Sequence, residues 1–170
     1  MEIDNLVSKA FENVKDQIGY CGIWCGSCIV GNGALKELTR KYAFVLEGYG
    51  IDGWGADEAG FNGKELMKSL EAIQKIPICR GCLKGGGKSN CEIRACATSK
   101  KLADCTECSD FMKCENREAL SNVRTGALKV GMTAKTEKDE ASRQQLIKKW
   151  TAEISEKFPS CVVLSKHGSD

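Results

Sequence analysis

Residues 20–28 read YCGIWCGSC, and residues 79–114 read CRGCLKGGGKSNCEIRACATSKKLADCTECSDFMKC. Of the chain's 11 cysteines, all but one lie in these two stretches. They are Cys21, Cys25, Cys28, Cys79, Cys82, Cys91, Cys96, Cys105, Cys108 and Cys114. Three Cys-x-x-Cys pairs occur among them, and that spacing lets two sulfurs on one tight turn face a common centre. The pattern predicts a chain that folds around bound metal, with these cysteines as the candidate ligands.

A secreted scaffold held by disulfides is the competing interpretation of so many cysteines. The chain is long for such a scaffold, its cysteine count is odd, and no secretory signal precedes the first cysteine. No apolar run approaches the roughly 18 residues that cross a bilayer. We therefore expect a cytoplasmic protein with reduced cysteines and no membrane partner.

The formal net charge of +2 counts every cysteine as a neutral thiol. A zinc ion bound by four thiolates carries a charge of about −2, so two such sites would make the chain mildly acidic. The basic residues among the cysteines, which we expect to offset that charge, are Arg80, Lys84, Lys88, Arg94, Lys100 and Lys101. Aromatic side chains that could stack on bases are nearly absent there. We expect no nucleic-acid partner, whereas a protein partner is compatible with this composition.

Hydrophobic periodicity predicts helices on both sides of the cysteines. The expected organisation is an N-terminal amphipathic helix over 1–19, a cysteine-rich metal-binding domain over 20–131, and a C-terminal helix and tail over 132–170. The first internal helix, over 34–49, has its apolar face at Leu35, Leu38, Tyr42, Val45 and Tyr49. The next is capped by Asn62, ends before Pro77, and has its face at Leu66, Met67, Leu70 and Ile73. The last, over 137–158, has its face at Leu146, Ile147, Trp150, Ile154 and Phe158.

The predicted fold is mainly α with an irregular cysteine-rich metal-knuckle region, forming a small α+β metal-stabilised domain. Its one candidate strand is the edge strand at 161–164, where Cys161 is expected to be a small buried apolar residue rather than a ligand. Aromatic residues make up only 6% of the chain. Metal is therefore expected to replace part of the apolar core.

Two motifs in the sequence are typical of other classes of protein, but the sequence around them does not fit either class. The GGGKS stretch at 85–89 lacks the glycine spacing of a phosphate-binding loop, because Cys82 stands where that glycine is needed. The spacing of Cys21, Cys25 and Cys28 is that of radical enzymes that use S-adenosylmethionine, but the chain lacks the repeated βα units of their barrel. The sequence leaves enzymatic activity undecided, since His167 is the chain's single histidine and lies in the polar tail.

The cysteine motifs of this sequence resemble those of the DUF3795 family of bacterial and archaeal proteins. The resemblance lies in YCGIWCGSC, CRGC, CEIRACATSK and CTECSDFMKCE, and runs from about residue 20 to about residue 131. It departs from the family at Ile29 and Lys113, where family members often have proline. The resemblance implies a zinc-binding protein without an assigned general activity.

Zinc and iron–sulfur clusters both bind thiolates, so the two interpretations stay open. The pairs Cys79/Cys82 and Cys105/Cys108 are typical of zinc knuckles, and we expect zinc in two or more sites. Cys21, Cys25 and Cys28 are the more typical of a [4Fe-4S] cluster, with Cys114 as the expected fourth ligand. The favoured function is a structural or interaction module that binds zinc. The alternative is an iron–sulfur electron carrier or a small cluster-dependent enzyme.

Overall fold

The computed structural model of the chain describes residue 14 and residues 16–157, apart from the side chains of residues 112 and 155–157. The α-helices in this part of the chain are α1 Ala34–Gly48, α2 Ala56–Ala59, α3 Gly63–Gln74, α4 Glu92–Ser99, α5 Arg117–Lys129 and α6 Arg143–Lys157. A π-helical turn over Ile51–Gly55 joins α1 to α2. Short 3-10 turns lie among the cysteines, at Cys25–Ser27, Cys82–Lys84, Cys105–Glu107 and Phe111–Lys113.

Helices α1 to α3 (residues 34–74) form a unit that we call the helical arm, in which α1 packs against α3. The predicted cap of α3 is confirmed, because the side-chain oxygen of Asn62 accepts the Glu65 N–H at 3.0 Å. The helix predicted over 34–49 is confirmed as α1, but its predicted apolar face is mostly exposed. Helix α1 instead buries Thr39 and Leu46. The exposed large apolar residues of the arm are Leu38, Tyr42, Phe44, Val45, Tyr49, Trp54 and Phe61.

The C-terminal helix α6 packs on the loop that carries the first cysteines. Leu146, Ile147 and Trp150 are buried against Ile18 and Trp24. The two indole rings lie 6.0 Å apart between centroids, tilted by 36°, within the range of favourable aromatic pairs. The predicted apolar face is thus confirmed up to Ile154, which packs on the same cluster. Phe158 falls outside the described residues.

Helix α6 begins six residues later than its periodicity predicted. Ser142 and Gln145 form a reciprocal cap, in which each side chain accepts the other residue's backbone N–H, at 3.1 Å and 3.3 Å. This arrangement satisfies two N–H groups that no helical carbonyl reaches. The cap therefore fixes the start of the helix at Arg143.

A second apolar cluster holds the later cysteines. Ile93 and Ala97 of α4 pack with Leu120 of α5 and with Cys105, and Tyr20 and Cys21 also contact this cluster. The apolar core is therefore divided between one cluster under α6 and one that includes cysteine side chains.

The predicted fold class is right in being mainly α and wrong in including a β component. Among the described residues, β pairing is confined to two isolated bridges, Ile18 with Trp24 and Ile23 with Ala134. The candidate strand at 161–164, with Cys161, falls outside the described residues.

The predicted helix over 1–19 also falls largely outside the part of the chain that the structure describes. Val14 is helical and fully buried, whereas residues 17–19 are not helical. The chain therefore leaves helical geometry before Cys21. Among the described helices, none is both long enough and apolar enough to cross a membrane.

Candidate metal centre

Two of the three Cys-x-x-Cys pairs close the tight turns that their spacing predicts. The Cys28 N–H donates to the Cys25 carbonyl oxygen at 3.1 Å, and the Cys108 N–H donates to the Cys105 carbonyl oxygen at 3.3 Å. In the third pair, Gly81 precedes Cys82 with φ of +82° and ψ of 156°. Such a conformation is strained for any residue with a Cβ. We refer to residues 17–28 and 79–114 together as the cysteine region.

Cys25 lies beside the Cys79/Cys82 pair, which is distant in sequence. Burial raises the pKa of the Cys25 thiol to about 11, against the effect of the Cys82 N–H, which donates to its sulfur. The charges of the Cys21, Cys82 and Cys79 thiolates also raise this pKa. Four sulfurs from two segments of the chain are therefore close enough for their charges to interact.

A second set of sulfurs surrounds Cys105 in the apolar cluster. Burial raises the pKa of the Cys105 thiol to about 12, and the charges of Cys114, Cys96 and Cys21, in that order, contribute to the rise. Cys21 thus lies between the two sets. Burial is the main reason that its own pKa is raised, and Cys82 is the cysteine that adds to the effect.

The structure places the other three candidate ligands nearby. Cys28 begins the turn into α1, where its carbonyl oxygen accepts the N–H groups of Gly31 and Asn32. Cys91 precedes the first residue of α4 and packs on the cluster around Cys105. Cys108 Sγ lies 4.0 Å from the ammonium nitrogen of Lys100.

A buried carboxylate next to Cys105 connects this segment to the rest of the fold. Asp104 is 0% exposed. One of its oxygens accepts the Thr106 N–H at 2.8 Å, and the other lies 3.3 Å from Lys135 Nζ and 2.5 Å from an Arg143 nitrogen. Arg143 also donates to the Ile18 carbonyl oxygen at 3.2 Å. Because a buried carboxylate must be paired with cations, Asp104 fixes the Cys105 turn to α6 and to the loop before it.

Arg124 and Lys135 connect the first cysteine loop to the buried polar group of Asp104, Lys135 and Arg143, which we call the hub. The Arg124 guanidinium donates to the carbonyl oxygens of Cys21, at 2.8 Å, and Lys135, at 2.7 Å. The Lys135 N–H donates to the Gly22 carbonyl oxygen at 2.7 Å. Burial lowers the pKa of Lys135, but Glu107 and Asp104 outweigh that effect and leave it raised. The loop bearing Cys21 and the turn bearing Cys105 are therefore held together by buried polar contacts.

The basic residues among the cysteines take two different roles. Lys100 lies beside Cys108 and 3.3 Å from an Asp110 oxygen; the Asp110 hydrogen bond and then the Cys108 charge raise its pKa. Its position agrees with the predicted offset of thiolate charge. Arg94 instead donates to the carbonyl oxygens of Gly86, at 3.0 Å, and Lys88 and Ser89, both at 2.8 Å. These three hydrogen bonds stabilise the conformation of the GGGKS loop.

The donor chemistry of both sulfur sets fits a thiophilic metal, because clustered cysteines are the ligands that zinc and iron–sulfur clusters select. Their positions do not form a closed site. Within residues 14 and 16–157, no group of three or more Cys, His, Asp or Glu side chains is arranged to hold a metal ion. The geometry therefore identifies neighbouring sulfurs and not a coordination sphere.

The family model for DUF3795, a protein of unknown function, matches residues 17–119. The chain belongs to the DUF3795 family. The matched segment of this DUF3795 protein begins at Gln17 and contains both sulfur sets, together with the helical arm, α4 and the start of α5. No curated protein and no solved structure gives a significant match to the chain.

Several residues that organise the centre of this DUF3795 protein were missed by sequence reasoning: Gln17, Asp104, Arg124, Lys135 and Arg143. Each is polar and makes its decisive contacts across long stretches of sequence, so no periodic pattern marks it. One local signal was available. Asp104 directly precedes the Cys105 turn, and aspartate is a preferred cap at such a position.

Proposed function

We propose that this protein is a cysteine-ligated metal protein, with zinc as the metal, that serves as a structural or interaction module in a reducing compartment. The observation that carries the proposal is the approach of cysteines from separate segments: a Cβ at Gly19 would lie 3.2 Å from the Cys82 Cβ and 3.7 Å from the Cys25 Sγ. The charges of Cys79 on Cys25 and of Cys114 and Cys96 on Cys105 agree with such grouping. Cysteines from paired turns are typical ligands of a structural zinc site.

Zinc is favoured over an iron–sulfur cluster by how the first cysteines are distributed. A [4Fe-4S] cluster on Cys21, Cys25 and Cys28 would need these three sulfurs around one site. The cysteines whose charges contribute most to the pKa of Cys25 are Cys21 and the Cys79/Cys82 pair. That grouping combines sulfurs from separate turns, as zinc knuckles do.

The interaction role is supported by the exposed face of the helical arm. The side chains of Phe44, Tyr49 and Trp54 are 74%, 72% and 66% exposed. The Trp54 indole N–H donates to the Tyr49 carbonyl oxygen at 2.8 Å, which holds the ring at the surface. Exposed aromatic side chains of this kind are typical of protein-binding surfaces.

A nucleic-acid partner is disfavoured by the use of the basic residues. Arg94, Arg124 and Arg143 direct their guanidinium groups at backbone carbonyl oxygens of the chain itself. Guanidinium groups engaged in this way are not available to neutralise phosphates.

Elemental analysis of protein purified without oxygen tests the proposal. We expect a colourless solution with zinc in stoichiometric amounts, and we expect Cys161→Ser, at the cysteine that the sequence does not predict to be a ligand, to keep all of it. Brown protein with broad absorbance near about 400 nm and iron in place of zinc would support the cluster alternative. Protein without zinc or iron would contradict both.

A further inference from the structure

Four side chains form a straight stripe on the exposed side of α1. Leu38, Tyr42, Val45 and Tyr49 follow one another at intervals of four, three and four residues, which places them on one side of a helix. They are 44% to 72% exposed, whereas the adjacent Leu46 is buried. We call these four residues the α1 stripe.

The spacing of the α1 stripe is typical of a contact between two helices. Alternating intervals of three and four residues average 3.5, which is the repeat with which the side chains of one helix pack into the gaps of another. In the described part of the chain no helix is packed over this repeat, because all four side chains remain exposed. The α1 stripe therefore has the pattern of a helix pair in which the second helix is supplied from elsewhere.

The aromatic surface along the stripe is large for a surface that faces water. Trp54 extends the stripe at its C-terminal end, where the indole N–H donates to the Tyr49 carbonyl oxygen at 2.8 Å. Tyr42, Tyr49 and Trp54 are 54%, 72% and 66% exposed, which leaves roughly 400 Å² of aromatic surface in water. A specific pair of proteins buries about 800 Å² on each partner. With Leu38 and Val45 the patch supplies more than half of that area, and polar side chains at its border can supply the rest.

The border of the stripe suits contact with an identical surface. Glu37 and Lys41 lie along one border with their side chains 3.4 Å apart, so their charges offset each other. A border with charges of one sign would repel a second copy of itself, whereas this mixed border does not. Gly48 lies on the same side, and a Cβ there would meet nothing within 4 Å. The border therefore leaves room for another helix to approach.

We propose that the α1 stripe pairs with the α1 stripe of a second copy of this chain, with the two helices antiparallel about a two-fold axis. This pairing rests on the interaction role in the proposed function and names its partner. The axis passes between Tyr42 and Val45, so that each of them faces the other across it. Leu38 then faces Tyr49 of the second copy. Each tyrosine ring thus packs on a smaller aliphatic side chain, and the antiparallel helix dipoles attract each other.

Sedimentation equilibrium over a dilution series tests the pairing. We expect wild-type protein to reach twice the chain mass of 18.5 kDa as its concentration rises. Val45→Glu should stay at the chain mass throughout, because it places a carboxylate without a partner in the contact. Phe44→Glu is the matched control, since Phe44 is 74% exposed but lies about 100° around the helix from Val45. This control should still form the dimer, and circular dichroism checks that both variants fold.

An exchange of charges tests the antiparallel orientation. Tyr42→Lys alone should lower the mass as Val45→Glu does. The Tyr42→Lys/Val45→Glu double variant should recover the dimer, because the introduced ammonium then faces the carboxylate introduced in the second copy. In a parallel pair each introduced charge would face its own kind. A double variant that stays monomeric would therefore overturn the proposed geometry.

Two other results would overturn the pairing itself. One is a wild-type chain that is monomeric at every concentration, which would leave residues 1–13 or a different protein to cover the stripe. The other is a dimer that Val45→Glu leaves intact. Zinc is measured on the same samples, so that the two proposals can fail separately. A monomer with stoichiometric zinc would contradict only the pairing, and a dimer without zinc would contradict only the metal-binding function.

Discussion

The helical arm and the cysteine region are held together in different ways. In the arm, α1 packs against α3 but most of the large apolar residues stay exposed. In the cysteine region, buried polar groups connect segments that are far apart in sequence. Leu46 and Leu70 are the large apolar residues that the arm buries. In the cysteine region, Asp104 and Gln17 are among the most buried residues. The arm is thus organised by local helix-forming sequence, and the cysteine region by long-range contacts.

The difference between the arm and the cysteine region indicates where a bound metal would stabilise the fold. Burying the Asp104 carboxylate and several thiols costs free energy, which the paired cations and the apolar clusters around them must offset. A metal–thiolate site contributes folding free energy directly. The proposed metal should therefore matter far more to the cysteine region than to the arm.

Metal removal is the largest expected effect. A strong chelator should unfold the cysteine region, because binding of structural zinc contributes on the order of 10 kcal/mol to folding. Hydrogen exchange followed by mass spectrometry should show full loss of protection over residues 79–114 and a smaller loss over α1 and α3. Equal protection in both regions after verified metal loss would break the distinction between them.

Neutralising Asp104 should destabilise the metal-loaded protein by about 3 kcal/mol, because Asp104→Asn removes the fully buried carboxylate that pairs with both Lys135 and Arg143. Chemical denaturation measures the change. Glu107→Gln is the matched control, since Glu107 also pairs with Lys135 but is 44% exposed on its side chain. The control should cost less than about 1 kcal/mol. Equal losses of stability for the two variants would contradict the importance of the buried Asp104 carboxylate.

Within the arm, Leu46→Ala should cost about 2–3 kcal/mol, because Leu46 is 2% exposed and its removal leaves a cavity. Phe44→Ala, two residues away and 74% exposed, should change stability by less than about 0.5 kcal/mol. Thermal unfolding of both variants checks this contrast. A large cost for Phe44→Ala would mean that the exposed face is covered in solution.

The smallest effect concerns the cap of α3. Asn62→Ala should destabilise the protein by about 1 kcal/mol, because it removes the acceptor of the Glu65 N–H. Asn116→Ala is the control, because Asn116 occupies the same position before α5 without a capping side-chain bond. Denaturation midpoints that move equally for the two variants would refute the role of the cap.

The sequence predicted the structural features that depend on residues close together in the chain. The Asn62 cap and the buried face of α6 at Leu146, Ile147 and Trp150 follow from residue type and spacing, and both are confirmed. For α1, spacing identified an apolar face but not its partner. The buried side of α1 is the one with Thr39, whose hydroxyl donates to the Leu35 carbonyl oxygen at 2.6 Å and so tolerates burial.

For the candidate site, the sequence identified the cysteines as candidates but not their grouping. Which sulfurs become neighbours depends on Gln17 reaching Arg80, and on Asp104 reaching Arg143. These pairs are 63 and 39 residues apart in the chain. Neither contact repeats a motif or a period, so only the folded chain reveals it.

Binding of zinc by the clustered cysteines can be measured by X-ray absorption at the zinc edge of protein purified without oxygen. We expect a zinc signal with about four sulfur neighbours at about 2.3 Å per ion. A nearest shell of nitrogen or oxygen atoms at about 2.0 Å, or zinc no higher than in the buffer, would contradict it.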